Sequence, residues 1–139
     1  MPIITQLSIL VKNEPGALAS ISGTLKECNI NLKAFNIAES SGFGVLRAIA
    51  DNPEDACEVL KKKDIIVKLT DVIAVPMVDQ PGGLYDVGKA FAQAEINIEY
   101  AYAYAGEKGA AVFFRVDDPK AAVKALEGAG FKTLAEQDL

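Results

Sequence analysis

The chain has 139 residues, with no histidine, no tryptophan and only two cysteines. Without histidine there is no imidazole metal site, no Ser-His-Asp triad and no histidine general base. The cysteines, Cys28 and Cys57, are far apart and form no Cys-x-x-Cys pair. Both fall on apolar helical stripes and read as buried thiols in a reducing compartment. Arginine is as scarce, with Arg47 and Arg115 alone, and the longest basic run is Lys61 to Lys63. The formal net charge is −5. Nucleic acid and anionic membrane both call for a basic face, so neither is expected as a partner. No GxGxxG or GxxxxGK[ST] stretch is present, which removes the common nucleotide cradles. No run of about 18 apolar residues is present to span a bilayer. The opening "MPIITQLSILVKNEPG" has no basic lead and no small-residue cleavage site. It reads as a first strand rather than a signal peptide, and the expected location is cytoplasmic. The carboxylates lie mostly at turns and on polar helix faces, as solvated charge does. No acid–base pair stands out. The expectation is no catalytic residue, no metal ligand and no cofactor: not an enzyme.

What the chain does contain is a repeat. Shifted by 66 positions without a gap, Pro15 falls on Pro81, Gly16 on Gly82, Leu18 on Leu84, Ile30 on Ile96 and Asn31 on Asn97. Asp51, Pro53 and Leu60 likewise fall on Asp117, Pro119 and Leu126. The identities cluster at turns and helix entries, which is where a fold constrains residue type. The apolar phase agrees. Leu18, Ile21, Leu25 and Cys28 make one helical stripe, and Leu84, Val87, Phe91 and Ala94 take the same steps. Ala56, Val59 and Leu60 make a second stripe, matched by Ala122, Val123 and Leu126. Asn52 and Asp118, each followed by proline, read as helix N-caps with Pro at the first helical position.

Strands fill the gaps. "QLSILVK" alternates, and "NLKAFNIAES", a glycine turn and "VLRAIAD" read as a hairpin, as do "NIEYAYAYA" and "AAVFFRVD" around "GEKG". "IIVKLTD" and "FKTLA" follow as the last strands. Each copy therefore reads β-α-β-β-α-β. Right-handed crossovers put both helices on one sheet face. The fold class is α+β, with two ferredoxin-like βαββαβ units, helices on one face of antiparallel sheets, paired side by side into a continuous sheet. The first unit takes residues 1–70 and the second 71–139. Leu46, Ala48 and Ala50, with Val112, Phe114 and Val116, are assigned to the helix side. The opposite face holds Val45, Arg47 and Ile49, with Ala111, Phe113 and Arg115, and suits a contact surface. "DIIVKLTDVIAVPMVD" joins the copies strand to strand, its odd positions from Ile65 through Leu69 to Met77 keeping one apolar parity.

The chemistry left to consider lies at two helix entries, "NEPGAL" and "DQPGGL". Proline fixes the entry angle. The N–H groups of Gly16, Ala17 and Leu18 then have no partner inside the helix, and the helix dipole adds partial positive charge. A carboxylate is the natural ligand for such an end. The paired glycines Gly82 and Gly83 make the second entry the more open. Asn13 or Asp79 offers a side-chain oxygen to an ammonium. These stretches also fit plain tight turns with Asn13 and Asp79 as turn or cap residues.

The element order, the two Pro-Gly turns after strand one, and "NIN" (Asn29 to Asn31) with "EIN" (Glu95 to Asn97) opening strand two together resemble the ACT domain, in two tandem copies spanning nearly the whole chain. The resemblance implies a non-catalytic regulatory or sensor protein that binds a free amino acid. It implies allosteric regulation of a separate enzyme of amino-acid metabolism, and leaves room for a homodimer. It also implies two sites, each between the strand 1–helix 1 loop of one unit and the start of strand 2 of the other. One pairs Asn13, Glu14, Gly16, Ala17 and Leu18 with Asn97 and Ile98. The other pairs Asp79, Gln80, Gly82, Gly83 and Leu84 with Asn31 and Leu32. Tyr100, Tyr102 and Tyr104 share one strand face without aromatic counterparts in the first copy, and line either a pocket or a packed sheet face. Two alternatives remain: a small ferredoxin-like hydrolase of the acyl-phosphate type, which wants an arginine at its phosphate loop, and a purely protein-interaction module pairing through edge strands.

Overall fold

A computed structural model describes residues 2–139. The elements run β1 (Ile4–Lys12), α1 (Ala17–Glu27), β2 (Leu32–Ser40), β3 (Phe43–Ala50), α2 (Pro53–Lys62), β4 (Val67–Pro76), α3 (Gly83–Gln93), β5 (Ile98–Gly106), β6 (Gly109–Val116) and α4 (Pro119–Gly128), with a last 3-10 turn at Glu136–Asp138. The chain divides into two compact units, Thr5–Thr70 and a second made of Asp71–Leu139 with the residues through Ile4. Ile3 packs against the second unit's core.

In the first unit the strand order is β2-β3-β1-β4. Leu7 pairs with Ala48 and Ile9 with Leu46 between antiparallel β1 and β3, and Phe35 pairs with Ala48 between antiparallel β2 and β3. The β2–β3 hairpin turns on Ser41 and Gly42, both at positive φ (45° and 85°), the type I′ geometry that matches strand twist. In the second unit the order is β4-β6-β5, again antiparallel. Each unit is α+β, with its helices packed on one sheet face. The first core takes Leu7, Ile9, Ile21, Leu25, Leu46 and Leu60. The second takes Ile73, Val75, Val87, Phe91, Val112 and Leu126, the same six places one repeat later.

Helix boundaries follow their local chemistry. Asn52 Oδ1 accepts the Asp55 N–H (3.4 Å), and Asp118 Oδ1 accepts the Ala121 N–H (3.1 Å), each ahead of proline at the first helical position. All four helices end on a residue in the left-handed region: Asn29, Asp64, Glu95 and Gly130. The N–H one residue further donates back into the last turn, as Ile30 does to the Leu25 carbonyl and Ile96 to the Phe91 carbonyl (both 2.9 Å). The repeated Asn and Asp identities also have a structural role. The Asn31 N–H donates to Asp51 Oδ1 (3.3 Å) while the Asp51 N–H donates to the Asn31 carbonyl (3.2 Å). Asn97 and Asp117 make the same exchange, at 3.2 and 3.3 Å.

The loop-free join between the copies is a single strand, β4, with the boundary between the units at Thr70–Asp71. Several expectations need correction. The expected last strand, "FKTLA", is reduced to one bridge between Leu134 and Ala74, because proline-free but short "KTLA" runs straight into the 3-10 turn. The parity across β4 breaks at Leu69, which is exposed, while Val72 through Val75 are all buried on both faces. Cys57 is buried, but Cys28 is exposed: it caps the C-terminal end of α1, past the buried part of the stripe. Leu18, Leu84 and Ala94 lie at stripe ends and are exposed too. On the helix-free face, Ile49 and Phe113 are buried rather than open. Tyr102 and Tyr104 pack on Phe113, with ring centroids 5.3 and 6.1 Å away, so the tyrosines form a packed sheet face there.

Candidate functional site

The four helices differ at their N-termini. α2 and α4 carry side-chain caps, but α1 and α3, the two that follow the Pro-Gly turns, have none. In their place stand Gly16 at φ 88° and Gly82 at φ 92°, a backbone conformation only glycine adopts freely. The turn folds on itself through the Glu14 N–H to the Lys12 carbonyl and the Gln80 N–H to the Val78 carbonyl (both 2.9 Å). It uses no side chain of Asn13 or Asp79 as a helix cap. By helix geometry the N–H groups of Leu18 and Ala19, and of Leu84 and Tyr85, have no acceptor within their helices. Beyond the adjoining residues of the chain, no atom lies within 4 Å of the place a Cβ would take at Gly16 or Gly82. Each entry thus presents bare backbone and the positive end of a helix dipole to open space.

The two glycines of "DQPGGL" have different reasons to be there. A Cβ on Gly83 would stand 2.5 Å from the Val78 carbonyl oxygen. Gly83 therefore lets the turn close under the helix rather than opening the entry to a ligand. Gly16 and Gly82 are the capping positions, and the helices begin at Ala17 and Gly83.

The first entry opens on a pocket of about 510 Å³. Glu14, Gly16 and Ala17 line it together with Lys12 and Ser20. Phe43 and the segment Asp64–Ile66 complete the wall. Asn13 and Leu18 are exposed but not part of that lining. Asn31 and Leu32 sit in a separate hollow of about 400 Å³ beside Lys26 and Asn29. In the second unit Asp79, Gln80, Gly82 and Leu84 are exposed at the mouth of α3, and Asn97 and Ile98 are exposed at the start of β5. The backbone N–H groups of Asn31 and Asn97 are already taken by Asp51 and Asp117, so only their amide side chains can serve a ligand. Sequence reading missed Lys12, Phe43 and Asp64. Lys12 was legible as the charge ending β1. Phe43 and Asp64 are brought in by the β1–β3 pairing and by the left-handed turn after α2, which no local pattern announces.

Other chemistry is sparse. Arg115 Nη1 donates to the Asp71 carbonyl (2.8 Å), and its Nε lies 3.6 Å from Glu99, so this arginine braces β6 rather than serving a helix entry. Among the described residues no cluster of three or more Cys, Asp or Glu is placed to hold a metal ion. No helix among them is long and apolar enough to cross a membrane.

Two tandem α+β units of ferredoxin-like order, each with a glycine-led bare helix entry after its first strand, define a class of paired small domains. The chain belongs to the ACT domain pair family, whose model matches residues 2–139. The fold is shared with protein BT0572 from Bacteroides thetaiotaomicron, at 33% identity and TM-score 0.91, over 98% of this chain and 94% of that one. It is also similar to the ligand-free regulatory subunit of aspartate kinase from Thermus thermophilus, at 17% identity and TM-score 0.62, over 90% of this chain and 91% of that one. Among curated protein sequences none matches.

Proposed function

We propose that the protein is a non-catalytic regulatory protein that binds a free amino acid at its uncapped helix entries and signals to a separate enzyme of amino-acid metabolism. One contrast carries the reading: within each unit the helix after the Pro-Gly turn is left without a side-chain cap, while the other helix is capped. An uncapped N-terminus leaves donors and dipole for an incoming carboxylate. Membership of the ACT domain pair family and the regulatory role named for the aspartate kinase subunit support the regulatory half. In this reading the Asn13–Leu18 and Asp79–Leu84 loops take the carboxylate and ammonium. The exposed amides of Asn31 and Asn97, with Leu32 and Ile98 beside them, supply the remaining contacts.

The test is calorimetry and thermal shift against the common amino acids. A ligand at 100 times its Kd adds about 2.7 kcal/mol of stability. Ala17→Asp and Leu84→Asp place a carboxylate at the first turn of α1 and α3, where it suits the helix but repels a ligand carboxylate. Each is expected to keep the melting temperature of the free protein and to abolish one site's response. If no amino acid stabilises the protein, or if the double variant responds as the parent does, the proposal is lost. Gly83→Asp is unsuitable for this purpose, since its Cβ meets the Val78 carbonyl.

A further inference from the structure

The two units treat the helix-free faces of their sheets differently. In the first unit, pairing of β1 with β3 sets Leu10 beside Val45, Lys12 beside Phe43 and Ser8 beside Arg47 on that face. Ile66 and Lys68 extend it at the start of β4, and with Ser8, Leu10 and Val45 they wall a hollow of about 230 Å³. Leu10, Phe43 and Ile66 are 37%, 47% and 69% exposed. One repeat later the same places hold Pro76, Gly109, Ala111, Lys132 and Leu134, and these line a hollow of about 250 Å³ in the second unit. There the chain supplies a further wall. Past the bridge at Leu134, the 3-10 turn brings Asp138 and Leu139 to the hollow. The Lys108 ammonium donates to the Gln137 carbonyl (3.1 Å) and the Ala135 N–H to Asp138 Oδ2 (2.9 Å), which hold the turn in place. In the first unit the chain runs on straight as β4 instead of turning back, and the apolar wall stays exposed.

The charge of the first unit's face is one-sided. Val67 points into the core, so Lys68 points away from it, and the register puts Lys12 and Arg47 on the same face. Asn36 and Ala38 lie there from β2, opposite Arg47 and Val45, and Thr70 lies there through its hydroxyl contact with Ser8 (2.8 Å). Among the described residues of these strands, none that the register places on this face is Asp or Glu, in a chain of net charge −5. Glu14 and Asp64 line the helix-entry pocket, which shares Leu10 and Ile66 with this hollow as walls.

We propose that the helix-free face of the first unit docks an acidic segment of a partner protein, one that carries a leucine-sized apolar side chain beside carboxylates. The apolar side chain enters the hollow between Leu10, Val45 and Ile66, and the carboxylates meet Lys68 and Lys12. Two observations select that occupant. The second unit sets such a segment at its own copy of the place, with Leu139 preceded by Asp138 and Glu136. Cations unaccompanied by a carboxylate complement an acidic partner and turn away a basic one. A second copy docked face to face fits badly, since a two-fold axis sets Lys12, Arg47 and Lys68 against their own counterparts. An exposed apolar cluster rimmed by charge has the anatomy of a protein contact. The docking does not depend on what the helix entries bind.

Fluorescence anisotropy of labelled synthetic peptides tests it, with the full chain as receptor. The probe is a short acidic peptide with a single central leucine. One control has serine in place of the leucine, and the other has lysines in place of the acids. The probe is expected to bind about tenfold or more tighter than either control. Ile66→Ser is expected to remove the preference for leucine over serine. Lys68→Glu is expected to weaken the probe about fivefold or more and to strengthen the lysine peptide. Both positions are exposed, and circular dichroism confirms that the variants are folded. No binding of the probe, equal binding of the leucine and serine peptides, or an affinity unmoved by Lys68→Glu overturns the proposal. So does a parent that self-associates in sedimentation and becomes monomeric with Ile66→Ser, which assigns the face to a second copy instead.

Discussion

The two units share a backbone plan but not a core. Where the first unit has Leu25 and Ala48, the second has Phe91 and Phe114, packed edge to face with centroids 5.2 Å apart and planes at 77°. Part of the added volume is offset at three places. Ile9, Ile21 and Leu46 of the first unit become Val75, Val87 and Val112 of the second, each one methylene smaller. Two cores of different composition thus fill the same frame, because packing constrains total volume and shape more than identity. What does not vary is the hydrogen-bonded trim: the Asn52 and Asp118 caps, the Asn31–Asp51 and Asn97–Asp117 exchanges, and the left-handed glycines Gly16 and Gly82. Apolar contacts can be traded among neighbours, whereas a donor in a fixed place accepts few substitutes.

That contrast can be broken experimentally, and the largest effect is expected in the aromatic core. Phe114→Ala should cost about 3–5 kcal/mol in urea unfolding, since it empties a fully buried ring site. Phe91→Leu combined with it recreates the first unit's pair. The double change should differ from the sum of the single ones by about 0.5–1.5 kcal/mol, the coupling of an edge-to-face pair. Strict additivity would mean that the two rings are not a unit. Next come the caps. Asn52→Ala and Asp118→Ala should each cost about 1 kcal/mol, equally in the two units, while Asn13→Ala and Asp79→Ala should stay within about 0.5 kcal/mol. A large loss at Asn13 or Asp79 would make them structural and weaken their proposed role toward a ligand. The smallest effect concerns the thiols. Cys28→Ser should change stability by less than about 0.5 kcal/mol, and Cys28 should react with a thiol reagent in the native protein while Cys57 reacts only on unfolding.

The core and the caps were legible in the sequence because they obey local rules. A 3.6-residue stripe names Ile21 and Leu25, and an Asn or Asp before proline names a cap. Leu18 and Cys28 carry the same period but lie past the covered stretch, and periodicity does not say where a neighbour ends. The reduction of "FKTLA" to a bridge at Leu134 was hidden for a related reason: pairing partners decide how long a strand is. At the helix entries, "NEPGAL" and "DQPGGL" were recognisable, but the distinct purpose of Gly83 depends on the Val78 carbonyl folding beneath it. The pocket wall from Phe43 and Asp64 likewise needs the tertiary fold.

β4 carries a consequence for how this chain tolerates change in length. Val67 points into the first core and Ile73 and Val75 into the second, all from odd positions of one strand. A single residue inserted between Thr70 and Asp71 would turn every later side chain of the strand to the opposite face, exposing one core's residues to repair the other's. Two residues would keep the faces but shift the ladder by a full step. The turn at Ser41–Gly42 can lengthen without such a penalty. The seam between the copies therefore tolerates a change in length less well than that turn does, because strand alternation runs straight through it.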